Sequence, residues 1–485
     1  MRTSAAASAR LPATRRGPTR TWARTWARAA AVTLLALVIV VAVAGPALAH
    51  ATLQSSTPKQ GQSFPAGQPP KQVVIRFDEA VDARSAIGVY GADGKQVPGV
   101  RQRDSSGTVV QARLPALADG PYAIVWHVVS DDGHPEHGVI TFGVGVADVS
   151  GANFGKLASA QSSGHAYGFL FGMVRVLAFV GAIVFVGGLV VARWVWPTSI
   201  ARRDTRVLLL SLWGAGVAGT LLTMPFQAGY STGGGWSKFL DSDALAEVLD
   251  ARYGRGVVAR VILLVALVPF ALLRIRAPKA RARIPVEVVV GLCSLGVLAT
   301  FAYAGHASTG RWIGAGVTLD LLHLGGVAFW LGGVALLAVT LGRPGDVAGA
   351  MRATTRFARY ALPAVGLVVL SGVVQGWRQL ETWSAIWDTD YGRILFAKVL
   401  VVASIVIVAS ATRDILRQRI EPRLRAGVRT DELDGTDELD GTDELDGVDG
   451  VDPEDVAQLR SAILVEVALA AVVLALTAAL VVSAP

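Results

Sequence analysis

The stretch YGFLFGMVRVLAFVGAIVFVGGLVV, residues 167–191, holds one charged residue, Arg175, in an otherwise apolar run. At about 1.5 Å per residue a helix of this length reaches about 37 Å, more than the roughly 30 Å of a bilayer's hydrocarbon core. It therefore predicts a membrane-spanning helix. Toward the C-terminus seven more apolar segments of similar kind follow, near 207–228, 257–273, 286–304, 317–341, 358–377, 393–411 and 461–482. A chain that is 52% hydrophobic and only 17% charged fits this reading, because a soluble domain would have to bury an excessive share of itself.

The connections between these segments differ in charge. Those at 192–206, 274–285, 342–357 and 412–460 hold 19 Lys and Arg, whereas those at 229–256, 305–316 and 378–392 hold 5. Basic connections stay on the cytoplasmic side, so the first set is expected inside and the second outside. Both the segment before residue 167 and the C-terminus then lie outside the cell. The net charge of +8 reflects this segregation and does not point to a nucleic-acid partner. The last inner connection contains Thr-Asp-Glu-Leu-Asp-Gly three times in tandem from Thr430 to Gly447. With almost nothing apolar to bury, it predicts a disordered acidic insert at about 430–455.

Working back from residue 167, the Ser-, Ala- and Gly-rich 147–166 reads as a linker. Before it, Val73–Phe77, Ile87–Tyr90, Val109–Leu114, Tyr122–Val129 and Val139–Val144 alternate or run apolar between turns, which predicts a β-sandwich over 50–146. Residues 1–28 carry seven arginines and no acid, and lead into an apolar run ending Ala47-Leu48-Ala49. That is the pattern of a signal peptide over 1–49, with the alternative of a retained signal anchor. Cleavage after Ala49 makes His50 the first residue, and an N-terminal histidine offers a metal both its α-amine and its ring Nδ1.

The single cysteine, Cys293, lies in an apolar run and excludes a disulfide framework or a thiolate cluster. Any metal site must use His, Met, carboxylate or backbone donors. Four of the seven histidines fall in the predicted β-domain: His50, His127, His134 and His137. Ser130-Asp131-Asp132-Gly133-His134-Pro135 is a turn between the last two predicted strands. Asp132, His134 and the amine and ring of His50 form a nitrogen-rich N,O donor set, suited to Cu(II) with Zn(II) as the competing ion. His127 reads as a strand residue with a satisfied ring. His137 reads either as an exposed loop residue or as an auxiliary ligand.

These residues carry a resemblance. The start His50-Ala51-Thr52-Leu53 with Ser56-Thr57-Pro58, and Asp132-Gly133-His134-Pro135 with Gly138 and Phe142, resemble the CopC copper-binding domain. The membrane part resembles CopD, and the whole resembles CopC–CopD fusions of the YcnJ type. The resemblance implies an extracytoplasmic all-β sandwich, Ig-like or cupredoxin-like, joined to an all-α polytopic membrane domain of eight transmembrane helices over 167–485. It implies His50, Asp132 and His134 as Cu(II) ligands, with Glu79 and His137 as weaker candidates. Residues 50–146 contain no methionine, so the methionine-rich Cu(I) site of some CopC domains is not expected.

In the membrane part, His165, His306 and His323 are all expected at or just inside the outer face. Asp320 and His323, three residues apart, share one helical face. Ionisable groups inside a span are costly and mark functional sites. Met173 and Met224 fall at comparable depth and offer soft donors for Cu(I). Arg175, Lys398 and Glu466 are expected to pair within the bundle, Arg175 with Asp320 being one pairing. These residues suggest a transport path taking Cu(I) or Cu(II).

The functional expectation is copper binding outside the cell and transfer or transport of copper across the plasma membrane, in uptake, homeostasis or resistance. No enzymatic activity is expected. The partners expected are the bilayer, copper ion and an extracytoplasmic copper chaperone, with no nucleic acid and, for want of a phosphate-binding loop, no nucleotide. The alternative is a copper-dependent redox enzyme, either a histidine-brace or a haem-bearing membrane protein. Asp132 would occupy a position that oxygen chemistry needs open, and no histidine lies on the inner side for haem.

Overall fold

The computed structural model describes residues 53–77, 80–81, 86–103, 107–129, 135–146, 149, 154, 165–276, 283–305, 312–341, 347–380, 384–422 and 453–482. The leader 1–49, His50, Glu79, Asp132, His134, His306 and the acidic repeat lie outside them.

Eight strands form two four-stranded sheets. One has the order β1 (Leu53–Thr57), β3 (Gln72–Phe77), β6 (Val109–Arg113), β5 (Arg101–Gln102). The other has the order β2 (Gln62–Phe64), β8 (Pro135–Val144), β7 (Gly120–Val129), β4 (Ala86–Gly91). All neighbours are antiparallel except β2 and β8. The period of two decides what faces inward: Val73, Ile75 and Phe77 from β3 meet Tyr122, Ile124, Trp126 and Val128 from β7, with Ile140, Phe142 and Val144 from β8. Gly138 lies opposite Trp126, and a Cβ there would sit 2.7 Å from the indole Cε2, so the ring fills the space a side chain would take.

The five predicted strands are present, with differences at their edges. β8 begins at Pro135, not Val139, because it pairs with β7 all the way to Val129, so His137 belongs to a strand and not to a loop. The short strands β1, β2 and β5 were not predicted, since each is mostly polar or only two or three residues long and lacks apolar alternation. Phe154, inside the predicted linker, is buried.

Eight long helices coincide with the eight predicted segments: α1 (His165–Trp194), α2 (Arg203–Ser231), α3 (Arg252–Arg276), α4 (Arg283–Ala304), α5 (Ile313–Leu341), α6 (Val347–Leu380), α7 (Asp390–Ile415) and α8 (Pro453–Val482). Seven are long and apolar enough to cross a membrane over their described residues. The helix α8 starts at Pro453, a residue preorganised for the first helical position, so the last three residues of the predicted 430–455 insert are helical.

The helix α1 is central, packing against both α2 and α5. In a bilayer, lipid is as apolar as leucine, so helices associate through close packing of small residues. Gly181 and Gly219 bring α1 and α2 backbones together. On the other face Gly187 lies against the Ala328 carbonyl, and Gly188 against Gly332, leaving no room for a Cβ. Gly187→Val should therefore disrupt the α1–α5 contact and lower the unfolding midpoint in detergent by several degrees, a cost of at least about 1–3 kcal/mol. Gly214→Val, where a Cβ meets nothing within 4 Å, should leave it unchanged within error.

Candidate functional site

Two regions collect the residues singled out in the sequence. The first is one end of the β-sandwich. Leu53, the first residue of β1, pairs with Phe77, the last of β3. The Phe77 ring meets Trp126 of β7 edge-on, centroids 5.2 Å apart. Trp126 lies three residues before the end of β7, where Val129 pairs with Pro135. The start of β1, the end of β3 and the turn between β7 and β8 thus belong to the same end of the sandwich.

At the base of that turn His127 and His137 face each other across β7 and β8. The Nε2 of His127 is buried and has no hydrogen-bond partner among the described residues, so the satisfied ring expected for it is not seen. Burial, reinforced by the neighbouring His137, pushes the His127 ring down to about 4. Partial burial also lowers His137, whose side chain remains exposed. Both rings are accordingly neutral near pH 7 and keep a lone pair available.

The second region lies between α5, α6 and α7. Asp320 and His323 share a face of α5, and both meet α6. The Asp320 Oδ1 accepts a hydrogen bond from Gln375 at 3.3 Å. The His323 Nδ1 stands 3.0 Å from the Val368 carbonyl oxygen and 3.1 Å from Ser371 Oγ. A carbonyl only accepts, so Nδ1 carries the proton. The Ser371 hydroxyl has a carbonyl of its own, that of Leu367 at 2.6 Å, which leaves its oxygen free to accept from the ring. In the neutral ring the lone pair then sits on Nε2. This is how metal-ligating histidines are held, with the far nitrogen tied to a backbone carbonyl.

Lys398 on α7 lies within electrostatic reach of both Asp320 and His323. Arg175 lies elsewhere: its guanidinium stands 5.3 Å from the Phe171 ring centroid on its own helix. The hydrogen-bond partner that Asp320 has on another helix is Gln375 of α6. Glu466 is buried on α8, whereas the Thr412 hydroxyl of α7 donates to the Val408 carbonyl of its own helix at 3.0 Å. Met224 packs into an apolar cluster with Ala228, Val248, Tyr253 and Ala304, away from His323. Met173 is 54% exposed on the helix surface. His165 opens α1, and nothing is described of its side chain.

Sequence reasoning missed three of these groups. Gln375 and Ser371 carry no charge and do not interrupt an apolar run. Arg260 does interrupt one and was a readable signal. It is buried on α3, donates to Thr300 Oγ1 at 3.0 Å and to the Thr300 carbonyl at 3.2 Å, and lies 3.4 Å over the Phe301 ring. Its hydrogen bonds and the cation–π contact satisfy it structurally. Among the described residues no three His, Cys, Asp or Glu side chains gather at metal-binding spacing.

Comparison with known proteins places these regions in families. Residues 53–145 match the CopC domain, 166–317 the copper resistance protein D-like N-terminal domain, and 351–480 copper resistance protein D. The copper transport protein CutJ of Bacillus subtilis is 27% identical over 377 residues, 75% of this chain and 68% of that protein. Protein YobA of Escherichia coli K12 is 28% identical over 114 residues, 23% of this chain and 90% of YobA. The crystal structure of CopC from Methylosinus trichosporium OB3b shares 30% sequence identity and covers 20% of this chain and 93% of its own, with a TM-score of 0.18. The chain thus carries a CopC domain followed by a copper resistance protein D-like N-terminal domain and a copper resistance protein D domain, the organisation of a multi-span CopC–CopD fusion.

Proposed function

We propose that this protein binds Cu(II) outside the cell through its β-sandwich and transfers copper to its helical bundle for passage across the plasma membrane. The observation that carries this reading is the convergence of strand ends. The β1 start, the β3 end and the β7–β8 turn share one end of the sandwich, and His50, Glu79, Asp132 and His134 lie just beyond those ends in the sequence.

The ligands proposed are the α-amine and ring of His50, the Asp132 carboxylate and the His134 ring, a set that favours tetragonal Cu(II). Glu79 and His137 are weaker contributors. The neutral His127 and His137 rings beneath the turn support the choice of site, because they add no positive charge to oppose a cation. The domains proposed are a signal peptide over 1–49, a copper-binding sandwich over 50–146, a linker over 147–166 and a membrane domain over 167–485. Both the sandwich and the C-terminus face outward in this arrangement.

Within the bundle the acceptor proposed is Asp320 with His323, whose Nε2 lone pair is free and whose carboxylate is balanced by Lys398. His165, His306, Met173 and Met224 are proposed contributors nearer the outer face. A covalently joined donor and acceptor also raise each other's effective concentration, so capture and transfer need no soluble intermediate. An extracytoplasmic chaperone could deliver copper to the same ligands.

Two measurements test this. Electron paramagnetic resonance of the purified full chain with one equivalent of Cu(II) should show a tetragonal, nitrogen-rich signal. Inserting one Gly between Ala49 and His50, with cleavage kept after Ala49, should abolish that signal and weaken binding at least a hundredfold. An unchanged spectrum would rule out the terminal histidine as a ligand. In the bundle, Lys398→Met should lower the unfolding midpoint in detergent by an amount equivalent to about 3 kcal/mol, because it strands Asp320. The double variant Asp320→Asn, Lys398→Met should recover most of that loss, whereas purely additive losses would refute the pairing.

A further inference from the structure

A cleft opens at the end of the bundle where α6 begins, α7 ends and α8 begins. The space its walls enclose is small, about 50 Å³, the rest being an open groove, and the walls are almost wholly apolar. Trp330 and Val334 of α5, Phe357 and Val365 of α6, and Val406 of α7 line it. Leu362, also in the lining, is 38% exposed, so the cleft opens sideways toward the lipid and not only along the helix axes. Glu466 is the one acid in its wall and is itself buried.

The mouth is chemically different. A smaller hollow shares Ala358, Arg413 and Leu416 with the cleft and extends it to Arg359, Arg417 and Glu421. The turn carrying Arg417 is a π-helical one, Leu416–Ile420, which continues α7 directly. Arg359 reaches Glu421 at 3.9 Å with its own side chain 62% exposed. Arg413 and Arg417 form no ion pair among the described residues. Three guanidinium groups therefore ring the opening of an apolar cleft against a single carboxylate.

The dimensions match one leaflet. From Arg417 at the mouth to Val406 at the far wall is eleven residues of α7, about 16 Å at 1.5 Å per residue. Half of a hydrocarbon core of roughly 30 Å is nearly the same length. We propose that this cleft is a binding site for an anionic phospholipid, with the phosphate held by Arg359, Arg413 and Arg417 and one acyl chain lying between α6 and α7. Guanidinium groups pair with phosphate oxygens in bidentate fashion, and basic pockets between helices at a membrane face select anionic headgroups. An acyl chain here covers a surface that the packing of α5, α6, α7 and α8 leaves open, and so braces the helices that carry Asp320, His323 and Lys398. The site depends only on the bundle, and stands whether or not copper is what the bundle carries.

The test is native mass spectrometry of the full chain released from nanodiscs containing equal amounts of phosphatidylglycerol and phosphatidylcholine. The wild-type chain should retain phosphatidylglycerol at least tenfold over phosphatidylcholine. Arg413→Gln with Arg417→Gln should remove that preference. Arg356→Gln, an exposed arginine on α6 outside the cleft lining, should keep it. Ala361→Trp, which fills the cleft without changing charge, should also expel the lipid. Equal retention of both lipids by the wild type, equal loss in the Arg356 variant, or full retention in the Ala361 variant would each overturn the site.

Discussion

A charge inside a lipid-embedded bundle has no water to turn to, and the arrangement of α5, α6 and α7 follows from that constraint. Asp320 on α5 accepts a hydrogen bond from Gln375 on α6 and lies within electrostatic reach of Lys398 on α7. These three residues tie together helices that otherwise present mostly leucine, valine and alanine. One turn along, the His323 Nδ1 stands 3.0 Å from the Val368 carbonyl oxygen of the same neighbouring helix. One face of α5 thus meets α6 through both a carboxylate and an imidazole.

The same constraint explains the rest of the bundle. Arg260 survives burial because Thr300 accepts from it and the Phe301 ring lies beneath its guanidinium. Where no polar group requires a partner, contact comes from the absence of side chains, as at Gly187 against Ala328. The β-domain follows different physics. Water on its outside and an alternating core divide each strand into two faces, and its polar residues collect at the ends where the chain turns.

Much of this was legible in the sequence, and the parts that were not share a cause. Eight apolar runs announce eight helices because bilayer thickness acts on composition alone, without reference to neighbours. Five strands announce themselves by alternation. The strand β1 does not, because LQSST has almost no apolar rhythm and is held by its pairing with β3. His137, two residues after Pro135, reads either as a loop residue or as an auxiliary ligand, yet β7 continues to Val129 and carries β8 with it, which puts His137 in a strand. In the membrane, spacing along α5 was enough to put Asp320 beside His323. It could not reveal Lys398 or Gln375 as partners, since those contacts are made between helices far apart in the chain. Depth alone allows Arg175 as one conceivable partner of Asp320, and in the fold its guanidinium stands near the Phe171 ring of its own helix.

If a metal ion crosses at this cluster, the free nitrogen of His323 is the group it must meet. The direct measurement is copper loading of sealed vesicles reconstituted with the full chain, read by elemental analysis after external copper is removed. The wild type should load copper well above protein-free vesicles, and His323→Gln, which keeps a polar side chain of similar reach but removes the imidazole, should fall at least tenfold. Equal loading by the two proteins would contradict the assignment of this cluster to the path.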